Sequence, residues 1–409
     1  MELRPYQKEC ISTIEAQPPG AYLSQMATGL GKTVTFANIP RHGERMLILS
    51  HREELVEQPR KYFDCSYGIE RASQHSNGEE VVSASVQTMV RRLDRFGPED
   101  FGLIICDEAH HAAARTYRDI FSYFRPEKMI GFTATPNRGD KVRLDNVFSK
   151  IIFQRDLRWG IQNGYLCDIT CRRVDIGFDL SAVKTRRGDY APGELEEAMD
   201  GTADAIAQAY RELSIGATLI FAVSVHQCEE IARKIPGAVV VTGETKDRAA
   251  IIQAFTAGEI PCLVNCMVFT EGTDIPRVET VIIARPTQSE SLYAQMVGRG
   301  LRLYPGKEKL TLIDCVGVTG KANLSVRRPR FSGWIWRMFH PAKRMKFREI
   351  SLTCRRRFFL PETARRAGSR TSGWSTFGQR SRATTPTTSI SSRCQMDPWS
   401  AHWKNPKAL

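Results

Sequence analysis

The stretch MATGLGKT, residues 26–33, follows a short apolar segment and precedes the helix-compatible residues 34–39. A strand, a glycine-rich turn and a helix in this order are the context of a phosphate-binding loop. In such a loop main-chain amides surround the phosphates, the lysine reaches the β and γ oxygens, and the next hydroxyl binds Mg²⁺. Met26 stands where the strict pattern has a glycine, so this stretch alone leaves a chance turn open. The residues predicted to bind the nucleotide are Gly29, Gly31, Lys32 and Thr33, with Thr33 also on the metal.

An acidic motif further along the chain strengthens this prediction. Residues 103–106, LIIC, have the pattern of a buried strand, and Asp107-Glu108-Ala109-His110 follows at its carboxyl end, where α/β sheets place their ligands. Asp107 is predicted to hold Mg²⁺ and Glu108 to polarise the attacking water. The alternative, two acids that cap a helix, has little weight beside the loop upstream. His110 is predicted to couple the nucleotide to a second lobe, whereas His111 packs or is solvated.

Short apolar strands alternate with amphipathic helices from residue 1 to about residue 320, which is typical of parallel sheets covered by helices on both faces. The strands fall into two sets joined by a stretch of weak periodicity. We predict an α/β protein with a first domain at 1–155, a connection at 156–200, a second domain at 201–324 and a basic tail at 325–409. The predicted strands are 21–23, 46–50, 81–85, 103–106, 129–133, 218–223, 238–242, 262–266, 280–284 and 310–314.

The composition fits this class. A chain of 409 residues is long enough for two domains, and 42% hydrophobic with 25% charged residues is ordinary for a globular protein. No apolar run approaches the roughly 20 residues that span a bilayer. No signal peptide opens the chain, so we expect a cytoplasmic protein without membrane contact. The 11 scattered cysteines fit neither a zinc knuckle nor a disulfide framework and are interpreted as reduced core thiols.

The net charge of +13 is unevenly distributed. Residues 325–409 hold 19 of the 58 Lys and Arg and 3 of the 45 Asp and Glu, so the remainder of the chain carries only −3. The total charge therefore does not by itself indicate a basic surface on the body. This tail also lacks apolar periodicity. Two interpretations stay open, a disordered cationic tail that grips nucleic acid and an out-of-frame or damaged terminus, and no function is drawn from it.

A run in the second half, QMVGRGLR at residues 295–302, places Arg299 and Arg302 three apart, on one face of a helix, where they could complete the nucleotide site. With this run, the motifs resemble those of the superfamily 2 helicases and translocases of the DEAH type over residues 3–315. In the family's order they are residues 4–7 (RPYQ, the Q motif), 26–33 and 107–110 (motifs I and II), 133–136 (motif III), 269–274 (motif V) and 295–302 (motif VI).

The resemblance implies two tandem RecA-like P-loop domains with ATP and Mg²⁺ between them. Gln295, Arg299 and Arg302 would contact the γ-phosphate across the cleft, a task that suits the planar, permanently charged guanidinium. The first lobe would supply Gln7 to read adenine. Gly272 and Asp274 would close on the ribose side, and Thr133 and Thr135 would transmit closure to nucleic acid.

The resemblance also implies a track for nucleic acid in loops that follow strands. Short hydroxyl, amide and arginine donors there would bind phosphates and position a strand without reading its sequence. A Thr or Ser after a strand is also a frequent helix cap, so each position keeps that alternative. The residues assigned to this track are Arg52, Gln87, Thr88, Thr242, Gly243 and Thr270.

Within the superfamily, SHREEL at residues 50–55, the pair His110-His111 and ARPT at 284–287 look most like the compact DNA-directed branch related to restriction-enzyme motors and repair helicases. RNA-remodelling DEAD-box proteins are less similar, because the acidic motif here ends in His. We therefore expect an ATP hydrolase that moves along or unwinds nucleic acid, with DNA favoured over RNA. The alternative is an ATP-gated clamp, or a motor subunit of a larger complex, with little turnover of its own.

Overall fold

A computed structural model of the chain describes residues 2–135, 144–186, 188–270, 275 and 277–316, and the backbone of 351–353. The first lobe is a parallel sheet in the order β3-β4-β2-β5-β6-β1-β7. Its strands are β1 (Gly20–Met26), β2 (Met46–Ser50), β3 (Tyr67–Glu70), β4 (Val81–Ser85), β5 (Leu103–Cys106), β6 (Lys128–Thr133) and β7 (Lys150–Arg155). Its helices are α1 (Pro5–Glu15), α2 (Lys32–Ala37), α3 (Val86–Met89), α4 (Arg115–Tyr123) and α5 (Leu157–Gln162).

The second lobe contains a sheet whose strands are parallel except at one edge. Its elements in chain order are β8 (Asp168–Arg173), the antiparallel pair β9 (Thr185–Arg186) and β10 (Asp189–Tyr190), α6 (Pro192–Ala198), α7 (Ala203–Leu213), β11 (Thr218–Phe221), α8 (Val225–Arg233), β12 (Ala238–Val241), α9 (Arg248–Ala257), β13 (Cys262–Asn265), β14 (Thr280–Ile283), α10 (Glu290–Arg299), β15 (Lys309–Asp314) and β16 (Ser351–Thr353). The sheet order is β12-β13-β11-β14-β15-β8-β16, with β16 antiparallel to β8. The predicted fold of two tandem parallel sheets is confirmed.

The burial of the central strands explains why their positions could be predicted from the sequence. Every residue of β4, β5, β11, β13 and β14 is buried, and the strands are mostly apolar with a few small or polar residues, as expected when helices cover both faces. All ten predicted strands coincide with strands of the structure. Six strands of the described residues were not predicted: β3, β7, β8, the short pair β9 and β10, and β16. Strand β7 lies at a sheet edge with three exposed residues, and β8 lies within the segment interpreted as the connection.

Serine and aspartate side chains begin several helices. Ser85, Asp156, Ser224 and Ser289 each accept a hydrogen bond from a main-chain amide in the first turn of the following helix. These caps fix where a helix starts after a strand, and hence where the loop at the carboxyl edge of each sheet turns. Of the tail at 325–409, only the backbone of β16 is among the described residues. Among the described residues, none of the helices combines the length and hydrophobicity that crossing a bilayer requires.

Candidate active site

The loop between β1 and α2 has the tight geometry that glycine permits. Gly29 and Gly31 have φ of 89° and 78°, in the left-handed region. Space is equally restrictive, because a Cβ on Gly31 would lie 2.7 Å from Gln7 Nε2 and one on Gly29 would lie 2.9 Å from Leu166 Cδ2. The left-handed backbone favours glycine at both positions, and a larger residue would also displace the end of the Gln7 or Leu166 side chain. Helix α2 begins at Lys32, so Lys32 and Thr33 stand in its first turn.

The lysine of this loop meets the acidic motif directly. Lys32 Nζ lies 2.5 Å from Glu108 Oε1, and both side chains are nearly buried. Burial by itself would raise the pKa of Glu108, but the charges of Lys32 and His110 outweigh burial and hold that pKa well below its ordinary value. Glu108 also has a left-handed φ of 47°. The structure thus brings together the predicted phosphate ligand and the predicted base, and Glu108 is a carboxylate at neutral pH.

The predicted coupling residues continue from Glu108 into the lobe. His110 Nδ1 lies 3.3 Å from Glu108 Oε2 and 3.3 Å from Thr133 Oγ1. Thr133 Oγ1 donates to the carbonyl of Thr135 at 3.0 Å and accepts from its amide at 3.2 Å. All four residues are buried. A series of polar contacts between buried side chains therefore connects the acidic motif after β5 to the end of β6.

The predicted metal ligands lie at the carboxyl ends of two strands of the first sheet, Thr33 after β1 and Asp107 after β5. Thr33 is half-buried in the first turn of α2, and Asp107 Oδ1 accepts a hydrogen bond of 3.0 Å from the amide of Glu108. A hydroxyl and a carboxylate are ligands that Mg²⁺ prefers, with water and phosphate oxygens completing its shell. The donor set beside Lys32 therefore fits a nucleotide with Mg²⁺.

Gln7, the predicted adenine contact, faces the phosphate loop. Its Nε2 lies 3.4 Å from the carbonyl oxygen of Leu30 and 3.5 Å from that of Gly31, and its Oε1 accepts from the amide of Arg4 at 2.9 Å. Its role as a base contact stays a prediction. An aromatic cluster that was not predicted from the sequence lies beside it, in which Tyr6 packs edge-on against Trp159 and Tyr165. Trp159 and Tyr165 follow β7, in the segment interpreted as a connection, where no motif marked them.

The second lobe approaches the phosphate loop through the end of α10. A Cβ on Gly298 would lie 2.6 Å from Thr28 Cβ, and a Cβ on Gly29 would lie 3.7 Å from Arg302 Cγ. The chain at Arg302 therefore lies against the loop, across the cleft from β1. Arg299 is buried and its Nη2 donates to the carbonyl of Thr270 at 2.9 Å. Gln295 is buried on the same helix.

Two residues that the sequence did not single out hold the chain after α10. Lys307 Nζ donates to the carbonyl of Arg302 at 3.0 Å and to that of Gly300. Burial lowers the pKa of Lys307. The amide of Cys167 donates to the carbonyl of Leu301 at 2.9 Å. These bonds fix the backbone that carries Arg302, and a lone lysine five residues after a motif gave no signal for this role.

The residues assigned to nucleic acid divide into two groups. Arg52 bridges the lobes, since its Nη1 lies 3.3 Å from the carbonyl oxygen of Met267 and its Nη2 lies 3.3 Å from Thr270 Oγ1. Gln87 is exposed and its Nε2 donates to the carbonyl of His51 at 2.9 Å. Arg52 is half-buried and Gln87 is exposed, whereas Thr270 is buried and its hydroxyl donates to the carbonyl of Met267 at 2.9 Å.

The residues of the second group make local hydrogen bonds within their own loops or helix, and their contact with nucleic acid stays a prediction. Thr88 is buried and bonds the Ser85 hydroxyl that caps α3. Thr242 exchanges hydrogen bonds with Thr245 and Glu244 in a turn after β12. The carbonyl of Gly243 accepts from Arg248 in the same turn. Gly272 and Asp274, assigned to the ribose side, lie outside the described residues.

The fold and the site together define a P-loop protein with two RecA-like lobes. Residues 1–138 match the family "Type III restriction enzyme, res subunit", and residues 201–304 match the "Helicase conserved C-terminal domain". The chain belongs to the superfamily 2 helicases.

Three known proteins show the extent of the similarity. A Saccharomyces cerevisiae protein provisionally named ATP-dependent helicase IRC3 is 36% identical over 78% of this chain and 52% of its own length. A Halobacterium salinarum protein provisionally named DNA 3'-5' helicase Rad25 is 27% identical over 76% of this chain and 54% of its own length. A fragment of a provisionally assigned HsdR subunit of a type I restriction enzyme from Vibrio vulnificus YJ016 has a TM-score of 0.61 and 26% identity, over 81% of this chain and 66% of that one. The chain thus spans about half the length of these curated relatives.

Proposed function

We propose that this chain is a nucleic-acid-dependent ATPase that moves along or unwinds DNA. The observation that carries the proposal is the Lys32–Glu108 contact of 2.5 Å beside a phosphate loop against which Arg302 of the second lobe lies. A base, a phosphate ligand and an arginine from a second lobe at one cleft are the parts that phosphoryl transfer to water requires.

In this proposal the residues of the first lobe do the chemistry. Lys32 moves from the Glu108 carboxylate to the β and γ phosphates, and the freed carboxylate orients the attacking water. Thr33 and Asp107 hold Mg²⁺, which neutralises developing phosphate charge when bound. Arg302 and Arg299 add positive charge from the second lobe and Gln295 adds a neutral amide, so closure of the cleft and hydrolysis depend on each other.

Movement on nucleic acid follows from the same closure. Arg52 and Thr270 lie on opposite lobes, so a strand held by both would be displaced whenever the lobes move. Two of the three relatives carry names that refer to DNA or to restriction, and the matched family of residues 1–138 is a restriction subunit. These names support DNA as the partner, and an intracellular, cytoplasmic location is part of the proposal.

The test is the rate of ATP hydrolysis by the full chain with single-stranded DNA, duplex DNA, forked DNA and RNA. We expect DNA to raise the maximal rate more than RNA, with many ATP molecules hydrolysed for each binding event. An ATP-gated clamp would instead bind DNA when ATP is present and hydrolyse almost none. Stimulation by RNA alone would contradict the choice of DNA but not the ATPase.

A further inference from the structure

Three imidazole rings form a continuous row beside the acidic motif. The ring centroids of His110 and His111 are 4.1 Å apart. His111 in turn stacks on His51, with centroids 4.2 Å apart and planes within 19° of parallel. The row spans two loops, because His51 follows β2 and the other two follow β5, and these strands are neighbours in the sheet. His111 was expected to be packed or solvated, and no role was predicted for His51.

The two ends of the row have different neighbours. At one end His110 Nδ1 lies 3.3 Å from Glu108 Oε2, and the amide of His111 donates to the carbonyl of Glu108 at 3.0 Å. At the other end the carbonyl of His51 accepts from Gln87 Nε2 at 2.9 Å. The next residue, Arg52, reaches the second lobe. The row therefore joins the proposed base to the loop that begins the proposed nucleic-acid track.

We propose that His111, through its stack on His51, is a positioning residue that links the nucleic-acid loop after β2 to Glu108. This inference rests on the proposed function. Loading the loop with a nucleic-acid strand shifts His51, the stacked ring of His111 follows, and the Glu108 backbone and carboxylate move with it. Aromatic rings in near-parallel contact resist separation, so the stack transmits displacement between loops that share no regular element.

A competing explanation is that the rings only fill space. The two differ in what can replace His111. Phenylalanine keeps a flat ring that can stack, whereas leucine fills a similar volume without one. If the stack positions Glu108, His111→Phe retains most of the response to nucleic acid and His111→Leu does not. If the rings only fill space, both variants retain it.

The experiment measures ATPase of the full-length chain with and without saturating single-stranded DNA, together with affinity for a fluorescent ATP analogue. For His111→Ala and His51→Ala we expect the stimulation factor to fall about 2- to 30-fold, the range by which changes within a coupled network alter coupling. Affinity for the analogue stays within about 2-fold, since neither ring is assigned to the nucleotide. The double variant is no worse than the poorer single variant, because both remove one contact.

The matched control is His226→Ala, whose side chain on α8 is 63% exposed, and its stimulation factor stays at the wild-type value. Normal stimulation of His111→Ala, additive losses in the double variant, or rescue by Leu as complete as by Phe would each overturn the positioning role. A wild-type chain that no nucleic acid stimulates would overturn the proposed function and this inference together. Wild-type stimulation with unaffected variants overturns this inference alone.

Discussion

The two lobes hold their functional cations in different ways. In the first lobe Lys32 is paired with the Glu108 carboxylate at 2.5 Å. In the second lobe Arg299 donates to the carbonyl of Thr270, and Lys307 donates to carbonyls that follow α10. A carboxylate neutralises its partner and can exchange it for phosphate, whereas a carbonyl orients a cation that keeps its full charge. In the first lobe the lysine can therefore exchange its carboxylate partner for phosphate. In the second lobe the arginine is held in a fixed position with its charge available to the nucleotide.

The largest expected effect is loss of hydrolysis in Lys32→Ala and Glu108→Gln, each lowering turnover by at least about 10³-fold. The two variants should differ in binding, because Lys32 binds the ground-state phosphates whereas Glu108 acts on water. Titration with a fluorescent ATP analogue should show weak binding by Lys32→Ala and retained binding by Glu108→Gln. Glu99→Gln, with its side chain 81% exposed, is the control. Equal loss of affinity in both variants would show that the roles are wrongly assigned.

The arginines of the second lobe should affect turnover without affecting binding. We expect Arg302→Ala and Arg299→Ala to lower the turnover number by at least about 10²-fold, since an arginine finger contributes about 10³ to 10⁵. ATP still binds, because the first lobe holds it. The control is Arg115→Ala, whose side chain is 88% exposed. Single-turnover kinetics check the prediction, and unchanged turnover in either variant would remove that arginine from the catalytic set.

Arg52 tests whether the contact between the lobes is also a phosphate contact. Arg52→Ala should raise the DNA concentration for half-maximal ATPase several-fold and reduce the slope of log affinity against log salt by about 1. Thr270→Val removes a hydroxyl but no charge, so its slope should match the wild type. Salt titrations of DNA affinity make the comparison. A wild-type slope in Arg52→Ala would leave that residue as a contact between lobes only.

Acid should lower the stability that the Lys32–Glu108 ion pair gives to the folded chain. The pKa of Glu108 is lowered in the folded chain, so the pair stabilises the fold above about pH 4.5, and this contribution is lost as pH falls through the folded pKa. Glu108→Gln has no carboxylate to titrate there. Urea unfolding from pH 7 to 3 should therefore show a shallower acid loss of stability for Glu108→Gln than for the wild type. Parallel curves would mean that the pair contributes nothing to stability.

The smallest effect is expected from removing residues 325–409. Apart from Gly272 and Asp274, every assigned site residue is described in the two lobes, and all lie before this segment. A chain of residues 1–324 loses the short edge strand β16 but none of the inner strands, so it should melt within about 4 °C of the full chain, the shift that roughly 1 kcal/mol produces in a domain of this size. Its DNA-stimulated ATPase should persist, with a flatter salt dependence after loss of 19 cations. A fall of more than about 10 °C would make the segment part of the motor's structure.

The buried strands and the residues of the nucleotide site could be predicted from the sequence for physical reasons. Strands such as β4 and β5 are buried on both faces, so their apolar runs stand out locally. Gly29, Gly31 and Lys32 form a contiguous loop whose chemistry is encoded by adjacent residues. The same holds for Asp107 and Glu108 after β5. These features depend on residues that are adjacent in the chain, so they could be predicted from the sequence.

Other features depend on residues that are distant in the chain. Strand β7 has three exposed residues and β8 has three half-buried ones, and neither has a strong period, so only pairing with β1 and β15 defines them. The stack of His51 on His111 and the bonds of Arg52 to the second lobe arise where separate loops meet at the edges of two sheets. The sequence alone determined which residues bear charge, hydroxyl and imidazole. Only the tertiary structure decided which of them touch, because packing between strands and lobes sets those distances.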